Sequence, residues 1–414
     1  MYFDQFSFDP RISAGIKHAG YINPTPIQQK AIPVVLKRHD LLGLAQTGTG
    51  KTAAFLLPIL QLLSSTPSRK IRALIIVPTR ELAEQIHQTA VALGKNSRVR
   101  STTIYGGVSK KPQLESLRRG VDIVVACPGR LLDLINTKSI DLSHVEILVL
   151  DEADHMCDMG FLPDIRRILK RIPSQRQTLF FAATMPDEIR TLSDSILHDP
   201  ETVQIGMIAP TKTVTHALYP ITQVKKTSLV TSLLRQLQSD RVLIFTRTKH
   251  RARNLAQKLA MAGFRTSALQ GNMSQNQRQA ALDGFRRGKF DILVATDIAA
   301  RGIDVSDISH VINFDMPDTV DAYIHRIGRT GRAKATGKAF TFCLPEDGKM
   351  IRDIEKILGS RITRERLSGF DYDDHAPTNS SQHTHPKQTQ HLPSTQKHAR
   401  SNYSRSHASQ RKTV

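Results

Sequence analysis

The segment from Ala45 to Thr52, AQTGTGKT, has the residue types of a phosphate-binding loop. It follows an apolar run, Asp40 to Ala45, that predicts a strand, and it precedes a helix-like run, Ala53 to Leu62. Its glycines let backbone N–H groups and the helix N-terminus face a chain of phosphates. Lys51 would then meet the β- and γ-phosphates, and Thr52 would hold Mg²⁺.

Ala45 replaces the first glycine of the usual pattern, so a tight strand-to-helix turn without a ligand is the alternative to a phosphate loop. The strand before the segment and the helix after it favour the phosphate loop. The predicted nucleotide-binding residues of this segment are Ala45, Gln46, Thr47, Gly48, Thr49, Gly50, Lys51 and Thr52.

Carboxylates follow another predicted strand, Ile147 to Leu150, in the tetrad Asp151-Glu152-Ala153-Asp154. Such residues lie beside the phosphate loop when the two strands are neighbours in a doubly wound sheet. Asp151 would hold the metal through water, and Glu152 would orient and deprotonate the attacking water. Acidic residues are common at strand ends, so the tetrad indicates catalysis only in combination with the phosphate loop.

Three arginines lie within seven residues in the segment His325 to Arg332, HRIGRTGR, at a predicted turn. Planar cations that reach a phosphate only when two domains close are the design of an arginine finger. The alternatives are a nucleic-acid-binding patch and a solvated turn.

Short apolar runs alternate with helical patterns along the chain, which predicts parallel sheets covered by helices. The helix predicted for Arg80 to Leu93 carries its apolar residues on one face and stops at Gly94. The predicted strands of the first set are Asp40–Ala45, Ala73–Val77, Val121–Ala126, Ile147–Leu150 and Thr178–Ala182. Those of the second set are Val242–Thr246, Thr266–Leu269, Ile292–Thr296, His310–Phe314 and Ala339–Cys343.

The two sets predict two α/β domains, residues 1–206 and 221–370, joined by a proline-containing linker, residues 207–220. Residues 371–414 are predicted to be a disordered basic tail, because from His375 onward there are six basic and no acidic residues. The six histidines of this tail are interpreted as solvated rather than as metal ligands.

The net charge of +21 in 414 residues points to a polyanionic partner, with a generic basic surface or an anionic membrane as alternatives. The start of the chain lacks the pattern of a signal peptide, and its apolar runs are too short to cross a bilayer. Three separated cysteines suggest neither a disulfide framework nor a zinc site, and a cytoplasmic location is expected. Aromatic residues make up only 5%, so backbone binding of nucleic acid is favoured over base stacking.

Several ordered motifs together resemble the DEAD-box RNA helicases over residues 3 to 370 or thereabouts. They are Gly20-Tyr21 with Pro24–Gln28, the phosphate loop, Pro78–Leu82, Gly106-Gly107, Pro128–Arg130, Asp151–Asp154, Ala295–Asp304 and His325–Arg332. The short core with a basic extension most resembles the bacterial RhlE-like branch. The resemblance implies two tandem RecA-like domains that use ATP and Mg²⁺.

The resemblance also assigns contacts with the nucleotide. Gln28 is implied as the residue that reads adenine, and a carboxamide matches the acceptor and donor that adenine presents. Phe3 would stack on the adenine or serve only as an N-terminal anchor, and Asp304 would touch the ribose. Arg329 and Arg332 would reach the γ-phosphate, and His325 and Arg326 would connect the motifs.

RNA contacts are implied in both domains, mostly with phosphate and sugar, which predicts sequence-independent binding. A 2′-hydroxyl contact would select RNA over DNA. The implied RNA-binding residues are Thr79, Arg80, Gly106, Gly107, Arg130, Arg247, Gly271, Thr296 and Gly302.

Three positions depart from the pattern of the family. Ala182 replaces the serine of a Ser-Ala-Thr motif thought to connect the ATP and RNA sites, which puts coupling in question. Gln270 replaces a histidine before Gly271, and Cys127 replaces a threonine before Pro128. Cys127 is interpreted as a small buried side chain rather than as a reactive thiol.

The predicted function is RNA-stimulated ATP hydrolysis that unwinds short RNA duplexes or remodels RNA–protein complexes. The alternatives are an ATP-gated RNA clamp or annealing factor, which Ala182 keeps open, and a DNA translocase, which the Gln28 motif disfavours. The expected protein is a cytoplasmic monomer that acts on single-stranded and short duplex RNA, with ribosomal precursors or the RNA-decay machinery as candidate partners and no membrane contact.

Overall fold

The computed structural model describes residues 2–45, 48–66, 68–205, 214–237, 241–300, 308–331 and 336–373. These residues build two seven-stranded sheets in which every strand pairing is parallel. Helices follow most strands along the chain, as the alternating pattern predicts, and the predicted α/β fold class is confirmed.

The first sheet has the strand order β3-β4-β2-β5-β6-β1-β7. Its strands are β1 Leu41–Leu44, β2 Ala73–Ile76, β3 Ser101–Ile104, β4 Ile123–Ala126, β5 Ile147–Leu150, β6 Gln177–Ala182 and β7 Glu201–Gln204. Its helices are α1 Pro10–His18, α2 Pro26–Leu36, α3 Lys51–Ser64, α4 Arg80–Leu93, α5 Lys111–Arg118, α6 Pro128–Asn136, α7 Ala153–Asp158, α8 Leu162–Leu169 and α9 Asp187–Ile196, and a 3₁₀-helix spans Phe3–Phe6.

The second sheet has the strand order β10-β11-β9-β12-β13-β8-β14. Its strands are β8 Val214–Pro220, β9 Val242–Phe245, β10 Thr266–Leu269, β11 Ile292–Ala295, β12 His310–Asn313, β13 Gly337–Cys343 and β14 Thr363–Arg364. Its helices are α10 Lys226–Gln236, α11 Lys249–Met261, α12 Gln275–Arg286, α13 Asp297–Ala300, α14 Val320–Ile327 and α15 Gly348–Leu358, and a 3₁₀-helix spans Pro345–Asp347.

Alternate residues of the central strands enter different cores, because side chains along a strand point to opposite faces of the sheet. In the first sheet, Ile75 and Phe181 pack in one apolar cluster, with Phe55 of α3. Leu74 and Phe180 pack in a second cluster, on the other face. Since both faces are covered, these strands read as continuous apolar runs rather than as alternating ones.

The structure corrects the C-terminal part of the predicted linker. Residues 214–220 form β8, which pairs with β13 along its whole length. Val214, Leu218 and Tyr219 are buried, and Pro220 lies at the end of the strand, where it does not break the strand. Residues 374–414, nearly all of the predicted tail, lie outside the described residues, and the other domain boundaries stay predictions.

In the described ranges, no helix combines the length and the apolar character that crossing a bilayer requires.

Candidate nucleotide site and RNA groove

The phosphate loop connects the end of β1 to the start of α3. Gly48 and Gly50 have φ angles of 85° and 94°, in the left-handed region that favours glycine. A Cβ atom on Gly50 would lie 2.6 Å from Nε2 of Gln28, so a side chain does not fit at this position. The backbone shape at Gly48 and Gly50 therefore favours glycine, while Gln46 and Thr47 lie outside the described residues.

Lys51 is the first residue of α3 and is buried. Its Nζ donates to the carbonyl oxygen of Ala45 at 2.6 Å. This bond connects the two ends of the loop. The ammonium group is thus already at the N-terminus of the helix, where the macrodipole favours an anion. A phosphate bound there would compete with the Ala45 carbonyl for this cation.

Gln28 lies in the first turn of α2 and is almost completely buried. Its Oε1 accepts from the backbone N–H of Thr25 at 2.9 Å, and its Nε2 donates to the carbonyl oxygen of Gly50 at 3.0 Å. A carboxamide has two N–H donors and two lone pairs, so these two bonds leave one donor and one lone pair for other partners. Gln28 therefore links its own motif to the phosphate loop.

Phe3 packs in the core of the first domain. Its ring centroid lies 6.2 Å from that of Phe6 and 6.1 Å from that of Tyr21, and its side chain is buried. This packing supports the N-terminal anchor, and adenine stacking by Phe3 stays a prediction.

The catalytic candidates Asp151 and Glu152 stand at the end of β5. Burial raises the pKa of Asp151 to about 6, against the opposing charge of Lys51. Burial alone would also raise the pKa of Glu152, but a contact with His155 and the charges of Arg329 and Lys51 lower it to about 2. Nδ1 of His155 lies 3.2 Å from Oε2 of Glu152, and Glu152 itself has a left-handed φ of 53°.

Asp154 connects this tetrad to the end of β6. Its Oδ2 accepts from the backbone N–H groups of Ala183 and Thr184 at 3.0 and 2.9 Å, and from Oγ1 of Thr184 at 3.1 Å. Ala182, by contrast, is fully buried in the apolar cluster that also contains Leu150 and Met156. The link to Asp154 is therefore made without a hydroxyl group at position 182.

Residues of both domains meet at a cavity of about 20 Å³, which is large enough for about one water molecule. Arg329, only 4% exposed, and His325 approach it from the second domain. The lining residues are Lys51, Glu152, Asp154, His155, Ala183, His325 and Arg329. The structure thus brings the phosphate-loop lysine, the predicted catalytic glutamate and one predicted arginine finger to one place.

The arginine-rich segment is only partly a turn, which corrects the sequence-based prediction. His325, Arg326 and Ile327 are the last residues of α14, and the turn starts at Gly328. The guanidinium of Arg326 donates to both carboxylate oxygens of Asp297 at 2.6 and 2.7 Å and to the carbonyl oxygen of Asp315 at 2.7 Å. Arg332, Gly302 and Asp304 lie outside the described residues.

A metal ion would find hard oxygen ligands beside the loop. Thr52, half-buried in the first turn of α3, offers a hydroxyl group, and Asp151 offers a desolvated carboxylate. This donor pair fits Mg²⁺, which is typically held by one or two protein oxygens together with phosphates and water. Across the described parts of the chain, no group of three or more His, Cys, Asp or Glu side chains could hold a metal by itself.

A second cavity, of about 490 Å³, runs between the domains and is called the central groove below. Five of the nine predicted RNA-binding residues line it: Thr79, Arg80, Gly106, Arg130 and Gly271. Gly107 lies next to it with a φ of 77°, where a Cβ atom would stand 2.1 Å from Nη1 of Arg80. Arg247 and Thr296 do not line this groove; Nε of Arg247 lies 3.3 Å from Oδ1 of Asp318.

Cys127 also lines the central groove but is mostly buried. Burial raises the pKa of its thiol to about 12. Few thiolates form at such a pKa, so the interpretation as a small buried side chain fits the structure.

The two domains also contact each other in this groove, through residues that were not predicted from the sequence. Nε of Arg278, on α12, donates to Oε1 of Glu81, on α4, at 2.6 Å. Nε2 of Gln275 donates to the same oxygen at 3.3 Å. Gln275 and Arg278 lie three residues apart on a helix, a spacing that puts them on one face and was the only signal available.

Known proteins resemble the chain over most of its length. Two family models match, "DEAD/DEAH box helicase" over residues 25–192 and "Helicase conserved C-terminal domain" over residues 225–334. DEAD-box ATP-dependent RNA helicase 40 of Oryza sativa subsp. japonica is 46% identical over 363 residues. The ATP-dependent RNA helicase CshA of Listeria monocytogenes is 43% identical over 361 residues.

These matches cover 86% of the chain and 46% of the rice protein, and 87% of the chain and 69% of the Listeria protein. The chain therefore spans less than half of the rice relative. A solved structure of S. cerevisiae Dbp5 bound to RNA and ADP BeF3 is similar with a TM-score of 0.80 and 30% identity, over 88% of this chain and 95% of that one. Neither relative's name refers to the RhlE-like branch, which stays a prediction. Because both family models match and the Listeria helicase is 43% identical over 361 residues, the chain belongs to the DEAD-box family of ATP-dependent RNA helicases.

Proposed function

We propose that this chain hydrolyses ATP in the cleft between its domains and uses the cycle to unwind short RNA duplexes or to remodel RNA–protein complexes. The cavity that joins Lys51, Glu152 and Arg329 carries the proposal, because it places groups from both domains around one small space. Such a site is complete only when the domains are together, which makes domain closure part of the catalytic cycle.

ATP would bind with its adenine at Gln28 and its phosphates on the loop from Ala45 to Thr52. Lys51 would exchange the Ala45 carbonyl for a phosphate oxygen, since the loop already holds the ammonium group at the helix N-terminus. Thr52 and Asp151 would hold Mg²⁺, which would neutralise part of the negative charge of the phosphates.

Glu152 would accept a hydrogen bond from the attacking water and orient it. Its pKa of about 2 keeps the carboxylate ionised at neutral pH, and the small cavity beside it has room for one water molecule. Arg329 would stabilise the charge that develops on the transferred phosphoryl group, and Arg332 is proposed for the same role.

RNA would lie in the central groove, where Thr79, Arg80 and Arg130 of the first domain face Gly271 of the second. Since glycine backbone and arginine side chains contact phosphate and sugar, binding would be independent of base sequence. The remaining proposed contacts are made by Gly106, Gly107, Arg247, Thr296 and Gly302.

The alternative of an ATP-gated RNA clamp rests on the missing hydroxyl at Ala182. Ala183 and Thr184 bond to Asp154 without a hydroxyl group at position 182, which supports the helicase over the clamp. The separated cysteines support a reducing cytoplasm. We propose that the protein is a monomer and that it acts on ribosomal precursors or with the RNA-decay machinery.

The test is the steady-state ATPase rate at fixed salt with no nucleic acid, with single-stranded RNA and with DNA of the same sequence. We expect strong stimulation by RNA and little by DNA. A rate that RNA does not change, from protein that binds ATP, would contradict the proposal and leave the clamp; a duplex-release assay beside an annealing assay would then separate the two.

A further inference from the structure

A third cavity, of about 640 Å³, lies on the second domain beside the central groove. We call it the edge groove, because β10, which forms its floor, is one of the two edge strands of the second sheet. Helices α11 and α12 form its walls. Its lining residues are Lys249, His250, Arg253, Ser267, Ala268, Gln270, Asn272, Met273, Gln277, Ala280, Ala281, Lys289 and Phe290.

The edge groove is positively charged. Lys249, Arg253 and Lys289 line it with exposed side chains, and His250 joins them, whereas none of the described residues that line it is acidic. Lys249 and Arg253 are four residues apart on α11 and so share one face of the helix. Clustered cations in a concave surface focus a positive potential, which attracts a polyanion.

Apolar side chains line the same groove. The ring of Phe290 lies there with Ala280 and Ala281, and it packs so closely on α12 that a Cβ atom on Gly284 would stand 2.6 Å from it. Nζ of Lys289 lies 5.6 Å from the centroid of this ring. A positively charged groove that also contains an aromatic ring is the combination that binds the phosphates and bases of a single strand.

The edge groove continues the central groove. Met273 lines both cavities, while its neighbours divide between them: Gly271 lines the central groove and Asn272 the edge groove. The turn between them is held by a bond from the backbone N–H of Asn272 to Oε1 of Gln270 at 2.7 Å. Nζ of Lys249 donates to Oδ1 of Asn272 at 3.0 Å, which fixes this cation at the junction.

We propose that an RNA strand leaving the central groove passes Met273 and continues along the edge groove. The two grooves together would then bind a longer stretch of RNA than the central groove alone. This inference rests on the proposed RNA binding in the central groove. An acidic peptide could meet the same cations, but the shared lining at Met273 favours the strand that already occupies the neighbouring groove.

The experiment measures RNA binding by the full chain with a non-hydrolysable ATP analogue across a range of KCl concentrations. Two single-stranded RNAs are compared, one of about 6 nucleotides that fills only the central groove and one of about 16 nucleotides. The test variant carries Lys249→Gln, Arg253→Gln and Lys289→Gln. The control variant carries Lys349→Gln, Arg352→Gln and Lys356→Gln, which remove the same charge from exposed positions of α15 that do not line either groove.

We expect the test variant to bind the longer RNA about tenfold more weakly at low salt, with a salt slope smaller by about 2, since three lost phosphate contacts contribute about 0.7 each. Its binding of the short RNA should equal that of the unmodified chain. The control variant should match the unmodified chain with both RNAs. Lysine-to-arginine changes at Lys249 and Lys289 should keep full binding.

Two results would overturn the inference alone: unchanged binding of the longer RNA by the test variant, or an equal loss in the control variant. If the unmodified chain bound neither RNA, the proposed function would fail together with it. Thermal unfolding of each variant shows that a loss of binding is not a loss of fold.

Discussion

Arg278 and Glu81 form an ion pair between the two domains, with Nε and Oε1 2.6 Å apart and side chains only 12% and 7% exposed. The arginine belongs to α12, the glutamate to α4, and both residues line the central groove. Because each charge is largely desolvated, removing one partner leaves the other without compensation while the domains are together. Removing either side chain alone should therefore disfavour the arrangement in which the groove exists.

We expect Arg278→Ala and Glu81→Ala each to lower RNA-stimulated ATP hydrolysis about tenfold, while the rate without RNA changes little. The double variant should be no worse than either single one, since all three lack the same pair. Steady-state kinetics with an RNA titration measure this double-mutant cycle. Multiplied losses in the double variant would show that the two side chains act independently.

His155 should affect turnover through Glu152. Its contact with Oε2 of Glu152, at 3.2 Å, fixes the carboxylate that is proposed to orient the attacking water. We expect His155→Ala to lower kcat about tenfold with an unchanged KM for ATP, and His155→Asn, which can still donate, to recover part of the rate. Glu152→Gln is the reference for complete loss with ATP binding retained. A higher KM with an unchanged kcat would assign His155 to binding instead.

Thr184 should matter more for coupling than position 182. The hydroxyl of Thr184 donates to Asp154, whereas Ala182 faces an apolar cluster. We expect Thr184→Val to reduce duplex release per ATP hydrolysed severalfold, and Ala182→Ser to change it by less than about twofold, since its hydroxyl would be buried among apolar groups. Parallel ATPase and unwinding assays give this ratio. A severalfold gain in Ala182→Ser would mean that the missing hydroxyl does limit the protein.

The three cysteines should react slowly with thiol reagents in the folded protein. Burial raises the pKa of Cys157 and of Cys343 to about 11 and that of Cys127 to about 12. A raised pKa leaves fewer thiolates at pH 8, by about 100-fold for a change of two units, and modification should accelerate as the pH rises. Comparing the rates in native buffer and in denaturant checks this. A native rate equal to the denatured one would contradict it.

The basic tail should add salt-dependent RNA affinity. Residues 375–414 contain six lysines and arginines and no acidic residue. Their deletion should weaken RNA binding and lower the salt slope by at most about 4, since each contact contributes about 0.7. Binding titrations of the full chain and the truncated chain at several salt concentrations measure the difference. An unchanged slope would remove the tail from RNA binding.

Much of the fold was predictable because central strands of a parallel sheet are buried on both faces and read as apolar runs. The strands that were missed lie at sheet edges or next to them. β3 reads STTI and β7 reads ETVQ, with half or more of their residues at least partly exposed, so that neither shows an apolar run. β8 was not predicted because the prolines in and near it, among them Pro210 and Pro220, led to its interpretation as a linker.

The site divides in the same way. Phosphate-loop and tetrad residues were predictable because each lies within a few residues of its own strand, and local spacing is visible in a sequence. The contact between Glu81 and Arg278 spans 197 positions and two domains. Periodicity in a sequence relates residues only a few positions apart, so this contact could be identified only from the folded structure.

Gln28 shows how the two ends of a bound nucleotide are mechanically connected. Its amide holds the backbone of Thr25 with one atom and that of Gly50 with another. If Gln28 contacts the base as proposed, a base that required the amide to rotate would also break its bond to Gly50, the residue before α3. The wrong nucleotide would then be disfavoured twice, once at its base and once at its phosphates. Base selectivity should therefore appear in the hydrolysis rate as well as in affinity.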